Sequence, residues 1–548
     1  MKLKQRLTLK TEDRFMARKT AANPTGLSTL SAIVKAHAME RPEGVAFIER
    51  GREMSWLAYH LAANRLATLL MKLGYEREDL IAILMPDSLE THIAFLACER
   101  AGLISVAITP RAGIQEIAHI SSIANAKCLL TTTEYGGVAA GEVFKRIAKN
   151  KDSELSHHII IDGPSERYLV DGEVIDDTTL SILGPLPETS AEAVFLLNTT
   201  SGTTGMPKCV KQHQARWFAY AEYVQDAYPV TKDDVFMRAV PSSVGFGLWS
   251  GHFIPTLLGA TTIILPKFSV STMLQDIEAY KVTVLAAVST QFIMALNSDS
   301  IERHNLASLA VLFTGGESVP YSKALEFEKR VGTKVLQFYG SNETGAISYT
   351  RYRDTQELRL KTAGNVIQSM DVSLLVDSSS DQRSRTGVGQ PICRGPLMSY
   401  GYYNNDEGNS KLFTHDGYMT MEDKVEIDEI GYVKVIGRLG DFIIRGGKNI
   451  SAAAVESYAL RHPKIRLAAA LPVPDVVYGE RVGLAVVFES GVKLDLGDLV
   501  SFLLDEGVSK SYFPEKLYVI TEMPMASGGK ISKSRLCEQL FSGIGTGA

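Results

Sequence analysis

Asn198-Thr-Thr-Ser-Gly-Thr-Thr-Gly-Met-Pro-Lys208 is a loop rich in glycine and hydroxyl side chains, and it follows the apolar run Ala193-Val-Phe-Leu-Leu197. The apolar run is typical of a buried β-strand. Glycines let backbone N–H groups approach an anion closely, Ser and Thr hydroxyls add donors, and Lys208 adds a cation. The loop therefore predicts a polyphosphate site without the spacing of a Walker A loop. A solvated turn of glycine and threonine is the alternative.

Length and composition limit the classes of protein that fit. A chain of 548 residues predicts two or more domains. The net charge of −5 gives no basic field that would attract nucleic acid. The five cysteines are scattered without a CxxC pair, which indicates reduced thiols and a cytoplasmic protein. No apolar run reaches the roughly 18 residues of a membrane span, so we expect no integral membrane protein.

Strand and helix patterns alternate along the chain. Residues 80–85, 105–110 and 128–131 are predicted strands, and helices are predicted at 27–39 and from residue 53 onward. Ser88 is the expected cap of a further helix. This alternation predicts an α/β fold with parallel sheets covered by helices. Residues 1–26 form a basic arm without the apolar core of a signal peptide, and a frayed terminus, a transit peptide and a membrane-surface arm remain alternatives.

Five further sequence motifs follow the glycine-rich loop. They are Val240-Pro-Ser-Ser-Val-Gly-Phe-Gly247, Ala310-Val-Leu-Phe-Thr-Gly-Gly-Glu317, Val335-Leu-Gln-Phe-Tyr-Gly-Ser-Asn-Glu-Thr-Gly345, Gly417-Tyr-Met-Thr-Met-Glu-Asp423 with Gly437-Arg-Leu-Gly-Asp441, and Pro524-Met-Ala-Ser-Gly-Gly-Lys530. In this order, over residues 27–536, they resemble the adenylate-forming superfamily of acyl-CoA synthetases, peptide-synthetase adenylation domains and beetle luciferases. The resemblance implies a large N-terminal domain of helix-covered sheets and a small mobile α/β C-terminal domain.

The resemblance also implies an ATP site and catalytic residues. Tyr339 would pack on adenine, Asp423 would accept hydrogen bonds from the ribose, and Glu343 would bind Mg²⁺. Lys530, Glu343 and Lys208 are the implied catalytic residues. The full implied nucleotide set is Thr199, Thr200, Ser201, Gly202, Thr203, Thr204, Gly205, Gly316, Glu317, Tyr339, Gly340, Ser341, Asn342, Asp423 and Arg438.

The implied acid pocket contains Trp217, Val244, Gly245, Phe246 and Ser289. Many family members have His where this chain has Val244. Amino-acid-activating members have an Asp in this region, and this chain offers no such charge. Because an unpaired buried ammonium is costly, an α-amino acid is a poor candidate. We expect a small acid with an apolar aromatic, alicyclic or medium-chain body.

The second half of the reaction involves the C-terminal domain. The resemblance implies an adenylation domain at residues 27–439, a mobile domain at 440–548 and a hinge at Gly440. The hairpin of Arg445, Gly446, Gly447 and Lys448 would meet the arm of a thiol acceptor. Coenzyme A is the expected thiol, since the chain ends shortly after Lys530 and contains no carrier domain.

Two other functions remain open. The chain could load a carrier protein in place of coenzyme A. It could also be a degenerate nucleotide-binding protein with a regulatory role, because Val244, Asn342, Met421 and Gly440 depart from the family pattern. The identity of the acid and the oligomeric state are left open, with a homodimer among the options.

Overall fold

The structure is a computed structural model of the chain. It describes residues 29–163, 167–175, 187, 189–200, 206–376, 382–446, 448–489, 491, 494–526 and 529–541. The predicted basic arm at 1–26, residues 201–205 of the glycine-rich loop and Gly447 of the predicted hairpin lie outside the described residues.

The chain divides into two compact units. The first unit comprises Met1–Ala286, Asn342–Gly345 and Pro396–Phe413. The second unit comprises Ala287–Ser341, Ala346–Gly395 and Thr414–Ala548. The predicted domain boundary at residue 440 stays a prediction.

The first unit contains an eight-stranded sheet with a parallel centre. In spatial order its strands are Glu173–Ile175, Arg167–Val170, His157–Asp162, Cys128–Thr131, Leu80–Leu84, Ile104–Ala107, Val194–Thr199 and Cys209–His213. The last two strands are antiparallel, with Thr199 opposite Cys209. The glycine-rich loop is therefore the connection between two neighbouring antiparallel strands.

The centre of this sheet is buried at every residue of Leu80–Leu84 and Cys128–Thr131, as expected for parallel strands covered on both faces. Helix Leu89–Arg100 connects the first of them to Ile104–Ala107 and is itself buried throughout. The Ser88 hydroxyl accepts a hydrogen bond from the N–H of Thr91 at 3.4 Å, which confirms the predicted cap. Burial of each large apolar side chain here contributes about 1.5–3 kcal/mol.

A second group of strands in the first unit runs, in order, Val284–Ala286, Val235–Arg238, Thr261–Ile264, Val45–Glu49 and Arg52–Ser55. The first helix is Leu30–Glu40, so the predicted start at residue 27 was early. The reason is local, because the Thr29 side chain accepts a hydrogen bond from the N–H of Ala32 and caps the helix. The other helices of this unit are Trp56–Lys72, Ile114–Ile123, Ala140–Ala148, Gln214–Ala227, Gly245–Leu248, Ile254–Leu258, Val270–Tyr280 and Asp406–Leu412, with a π-helical turn at Trp249–Phe253.

The second unit contains three groups of strands. The first runs Asn365–Val366, Gly345–Tyr349, Lys334–Ser341 and Val311–Gly315, with Gly345 itself assigned to the first unit. The second runs Arg383–Ser384, Asp371–Leu375, Gly387–Arg394, Asp423–Ile427 and Val433–Arg438, with Met419–Thr420 paired to Gly387–Arg394. The third runs Lys448–Ser451, Phe442–Arg445, Gly479–Phe488 and Ile465–Asp475, with Lys516–Val519 paired to Gly479–Phe488.

The helices of the second unit are Ser289–Leu296, Tyr321–Val331, Gln356–Lys361, Ala452–Ala459, Leu496–Asp505 and Lys533–Phe541. A small hydrophobic core of Ala469, Leu471, Ala485, Met523 and Leu536 joins the last helix to the third strand group. Across the described residues, no helix combines the length and the hydrophobicity that crossing a membrane requires.

Candidate active site

Glu343, the predicted magnesium ligand, belongs to the first unit. Its Oε1 atom accepts a hydrogen bond of 2.8 Å from the Tyr402 hydroxyl, and its backbone carbonyl accepts the N–H of Ser399 at 2.7 Å. The Lys208 ammonium lies 4.6 Å from the centroid of the Tyr402 ring. The Tyr402 side chain therefore contacts both Glu343, the predicted magnesium ligand, and Lys208, the predicted phosphate-binding cation.

Tyr402 was not assigned a role from sequence. It is positioned by the segment around Gly401, which lies against strand Cys209–His213. The N–H of Lys211 donates to the Gly401 carbonyl at 2.9 Å, and the N–H of Tyr403 donates to the Cys209 carbonyl at 2.8 Å. Tyr402 forms an isolated antiparallel β-bridge with Val210, and its contact with Glu343 joins residues 59 positions apart, so local sequence patterns gave no signal for it.

Replacing Tyr402 by phenylalanine is expected to raise the Mg²⁺ concentration at half-maximal activity by about 10-fold, because a hydrogen bond that orients the Glu343 carboxylate is lost. The measurement is acid-dependent exchange of pyrophosphate into ATP, titrated with MgCl₂. Tyr403→Phe is the matched control, since that neighbouring ring packs on the separate hydrophobic core of the eight-stranded sheet. Equal Mg²⁺ dependence in the two variants would contradict the assignment.

The two ends of the glycine-rich loop close on each other. The N–H of Thr200 donates to the Lys208 carbonyl at 3.0 Å, and the N–H of Lys208 donates to the Thr200 hydroxyl at 3.2 Å. The Thr199 hydroxyl is buried and has no hydrogen-bond partner within the described residues. A closed loop with a lysine at its base fits a polyphosphate, while the contacts of residues 201–205 stay a prediction.

Asn342, where the family usually has threonine, belongs to a buried amide network in the first unit. Its Nδ2 donates to Asn198 Oδ1, and Asn198 Nδ2 donates to Asn342 Oδ1, each at 2.9 Å. Gln212 donates to Asn198 Oδ1 at 2.8 Å, and Arg216 donates to the Asn342 carbonyl at 3.2 Å. A contact from Asn342 to phosphate would have to use its second amide hydrogen.

Gly245 makes room for this network. A Cβ atom on Gly245 would lie 2.4 Å from Asn342 Oδ1, so a larger residue there would displace the amide pair. The asparagine at 342 and the glycine at 245 are therefore structurally linked, although 97 positions separate them in the sequence.

The predicted nucleoside residues meet in the second unit. The Tyr339 hydroxyl donates to Asp423 Oδ2 at 2.8 Å. Asp423 lies opposite Arg438 in the antiparallel strand pair, and Arg438 donates to Glu422 at 2.8 Å. Burial raises the pKa of the Asp423 carboxyl, an effect opposed by the hydrogen bond from Tyr339 and by the charge of Arg438. Burial also raises the pKa of Tyr339, which keeps the phenol protonated as a donor.

Lys530 also lies in the second unit, where its ammonium donates to the carbonyl of Gly316. A tight hairpin holds it, since the N–H of Ala526 donates to the Lys530 carbonyl at 2.7 Å. Gly529 has a φ of +79°, a backbone conformation that favours glycine, and it lies against the side chain of Gln291. The predicted catalytic lysine thus contacts the glycine turn predicted for adenine.

Glu317 and Ser289 contact each other rather than standing free. The Ser289 hydroxyl donates to Glu317 Oε1 at 2.7 Å, and the N–H of Thr290 donates to the same oxygen at 2.6 Å. The carboxylate therefore caps the N-terminus of helix Ser289–Leu296. Burial raises the pKa of Glu317. Gly340 and Ser341 form the end of strand Lys334–Ser341, next to Tyr339.

The predicted acid-pocket residues of the first unit belong to an aromatic cluster. The Phe246 and Trp249 rings are edge to face at 5.3 Å, and Trp249 lies 5.1 Å from Tyr220. Trp217 is buried against Tyr220 at 6.0 Å. Val244 and Gly245 are partly exposed at the start of helix Gly245–Leu248. These surroundings suit an apolar acid.

The predicted hinge and hairpin are exposed segments of the second unit. Gly440 lies in a short 3₁₀ turn, and a Cβ atom on it would meet nothing within 4 Å. Arg445 pairs with Glu515 at 3.2 Å, the N–H of Gly446 donates to the Tyr478 carbonyl at 2.8 Å, and Lys448 is exposed. Their predicted roles in domain rotation and thiol binding stay predictions.

A family model described as AMP-binding enzyme matches residues 34–403. The medium-chain fatty-acid–CoA ligase of Escherichia coli K12 is 27% identical, with 94% of this chain and 91% of the relative covered. The 2,3-dihydroxybenzoate-AMP ligase of Bacillus subtilis 168 is 26% identical, with 93% and 94% covered. The crystal structure of ATP-bound MatB from Rhodopseudomonas palustris matches with a TM-score of 0.81 at 23% identity, covering 96% of this chain and 99% of the other. The structural match confirms the predicted α/β fold class.

Proposed function

Because this chain belongs to the family of AMP-binding enzymes, we propose that it activates a carboxylic acid with ATP and transfers the acyl group to coenzyme A. The observation that carries this proposal is the contact between the Lys530 ammonium and the Gly316 carbonyl, in the unit that also holds the Tyr339–Asp423 pair. A cation at the predicted nucleotide turn is what a reaction that builds negative charge at phosphorus requires.

The donor chemistry of the first unit fits a magnesium–triphosphate group. Glu343 supplies a carboxylate and Lys208 supplies an ammonium, while backbone amides from residues 201–205 stay a prediction. When bound, Mg²⁺ neutralises phosphate charge, and one carboxylate with phosphate and water oxygens is its usual ligand set. Tyr402 orients the Glu343 carboxylate for this purpose, and Lys208 binds the terminal phosphates.

In the first half-reaction a carboxylate oxygen of the acid forms a bond to the α-phosphorus of ATP. The bond from that phosphorus to the bridging oxygen breaks, and pyrophosphate leaves. Lys530 stabilises the charge that builds on the α-phosphate and the attacking carboxylate, while Tyr339 and Asp423 hold the nucleoside. The product is a mixed anhydride of the acid and AMP.

In the second half-reaction the thiol sulfur attacks the acyl carbon, and AMP leaves with the electrons of the broken C–O bond. The thiol proton passes to solvent. Arg445, Gly446 and Lys448 would contact the thiol carrier after a rotation about Gly440. Coenzyme A is supported by the similarity to a fatty-acid–CoA ligase across nearly the whole chain.

An apolar acid is the proposed substrate class. Val244, Phe246 and Trp249 belong to the segment that would face the acid, and none of them carries a charge. An α-amino acid would leave its ammonium without a counter-ion there. Aromatic, alicyclic and medium-chain acids fit this surface.

The proposal is tested with a panel of benzoate, cyclohexanecarboxylate, octanoate and alanine. We expect acid-dependent exchange of pyrophosphate into ATP with at least one apolar acid and none with alanine. Adding coenzyme A should then give a thioester and release AMP. ATP binding without exchange for every acid would reject enzymatic activation and favour a nucleotide-binding regulator.

Loading of a carrier protein is the second candidate. An exposed apolar tip at Val476, Val477 and Tyr478 adjoins Gly446 of the predicted thiol hairpin, and such a tip suits contact with a protein. A thioester formed on a phosphopantetheinylated carrier protein, but not with coenzyme A, would favour this candidate.

A further inference from the structure

A fully buried cluster of charged and titratable side chains lies in the first unit. It consists of Asp87, Arg238, His92 and His252, here called the buried tetrad, and none of these residues is more than 5% exposed. Arg238 donates to both carboxylate oxygens of Asp87, through Nη1 to Oδ2 and through Nη2 to Oδ1 at 2.8 Å. The reaction described above uses none of these four residues.

The protonation states of the tetrad follow from its contacts. Arg238 Nη2 lies 3.0 Å from His92 Nε2, and because an arginine only donates, that nitrogen must accept. His92 therefore carries its proton on Nδ1 and donates it to His252 Nδ1 at 2.8 Å. Burial lowers the pKa of His92 well below its usual value and that of His252 to about 3, so both rings are neutral. The tetrad is a fixed network rather than a pH switch.

The tetrad contacts the backbone of one segment at two positions, Ser242 and Gly251. The Asp87 carboxylate accepts the N–H of Ser242 at 3.3 Å, at the turn that precedes helix Gly245–Leu248. Further along, the backbone of Gly251 packs against Arg238, where a Cβ atom would lie 1.7 Å from Arg238 Nε. Gly251 and His252 belong to the π-helical turn Trp249–Phe253, a distortion that often marks functional sites.

The segment held in this way carries an unsatisfied donor. The Ser243 hydroxyl is buried and has no hydrogen-bond partner among the residues that the structure describes. It lines a small cavity together with Asp87, Thr91 and Ser242. Val244, Gly245 and Phe246 follow directly. A buried ion pair of this kind contributes little net stability compared with apolar packing, so its geometric effect is the more informative one.

We propose that the buried tetrad is a positioning network that fixes residues 242–248 and thereby determines which acids bind. This inference rests on the proposed function, because it takes that segment to face the acid. Asp87 and Arg238 act through the backbone of Ser242 and Gly251 and need no contact with the substrate.

The test is Asp87→Asn, which keeps the shape of the side chain and removes its charge. We expect the KM for the acid to rise by at least about 10-fold and discrimination between small and large acids to fall, because a misplaced pocket wall weakens selective binding. The KM for ATP should stay within about 2-fold. Amide hydrogen exchange in the peptide covering 242–248 should accelerate by about 10-fold or more.

The matched control is Glu328→Gln. Glu328 forms a similarly buried two-oxygen pair with Arg359 in the second unit, so the same chemical change is made in a comparable environment. An equal rise in the acid KM in both variants would overturn the proposal, and so would an unchanged acid KM in Asp87→Asn.

A substitute variant and a separate readout cover two other outcomes. If Asp87→Asn does not fold, His252→Asn replaces it and should give a smaller rise in the acid KM with the same unchanged ATP KM. If the unmodified protein activates no acid, the proposed function is rejected separately, and the exchange of residues 242–248 alone decides whether the tetrad positions them.

Discussion

Lys530→Ala is expected to slow acid-dependent pyrophosphate exchange by about 10²–10³, the effect of losing one charge donor to a transition state. The reason is electrostatic. Negative charge accumulates on the α-phosphate and the attacking carboxylate, and an ammonium already held in place stabilises it without reorganisation. Lys530 is held by its hairpin and by the Gly316 carbonyl, so its cation is pre-positioned at the predicted nucleotide turn.

The second half-reaction should respond differently. Thioester formation from a supplied acyl-adenylate needs no charge stabilisation at an attacking carboxylate, so Lys530→Ala should retain most of it. Lys510→Ala is the control, since it removes an exposed ammonium from the same unit. Both variants are assayed for pyrophosphate exchange and for thioester formation from the isolated adenylate. Equal losses in the two half-reactions of Lys530→Ala would reject this assignment.

Local features of the fold were predictable from sequence. Strands Leu80–Leu84 and Cys128–Thr131 follow from continuous apolar runs, and the Ser88 cap follows from a hydroxyl placed before a helix. Each of these depends on residues a few positions apart, where backbone geometry dictates the contact. The predicted start of the first helix at residue 27 was early, because the helix is capped by Thr29 and begins at Leu30.

Long-range partners were not predictable in this way. Tyr402 contacts Glu343 from 59 positions away, and Arg238 contacts Asp87 from 151 positions away. No periodicity of the chain encodes such a pair, because each side chain alone is typical of a surface or a core position. The family resemblance indicated Glu343, yet it gave no reason to examine the phenol that orients it.

Two of the residues that depart from the family pattern, Asn342 and Gly440, are explained by their surroundings in the structure. Asn342 pairs with Asn198 and requires the glycine at 245, so three residues that looked unrelated form one network. Gly440 has open space around it and would accept a larger residue in this conformation. Neither departure therefore argues by itself for a degenerate protein.

Glu343→Gln is expected to lower pyrophosphate exchange by about 10²-fold and to raise the Mg²⁺ concentration at half-maximal activity well beyond the shift in Tyr402→Phe. Glutamine keeps the size of the side chain and can still accept the hydrogen bond from Tyr402, so the change isolates the charge. A neutral amide oxygen is a weaker ligand for a hard divalent cation than a carboxylate. The measurement is the Mg²⁺ dependence of exchange at saturating ATP and acid.

Excess Mg²⁺ separates this variant from Lys530→Ala. Part of the activity of Glu343→Gln should return at high MgCl₂, because weaker binding of the cation is compensated by its concentration. Lys530→Ala should show no such recovery. The positive charge that this variant lacks belongs to a side chain, and added Mg²⁺ does not replace it. Glu142→Gln, which alters an exposed carboxylate paired with Lys145 in the first unit, should match the unmodified protein. Identical Mg²⁺ curves for Glu343→Gln and Glu142→Gln would show that Glu343 does not bind the metal.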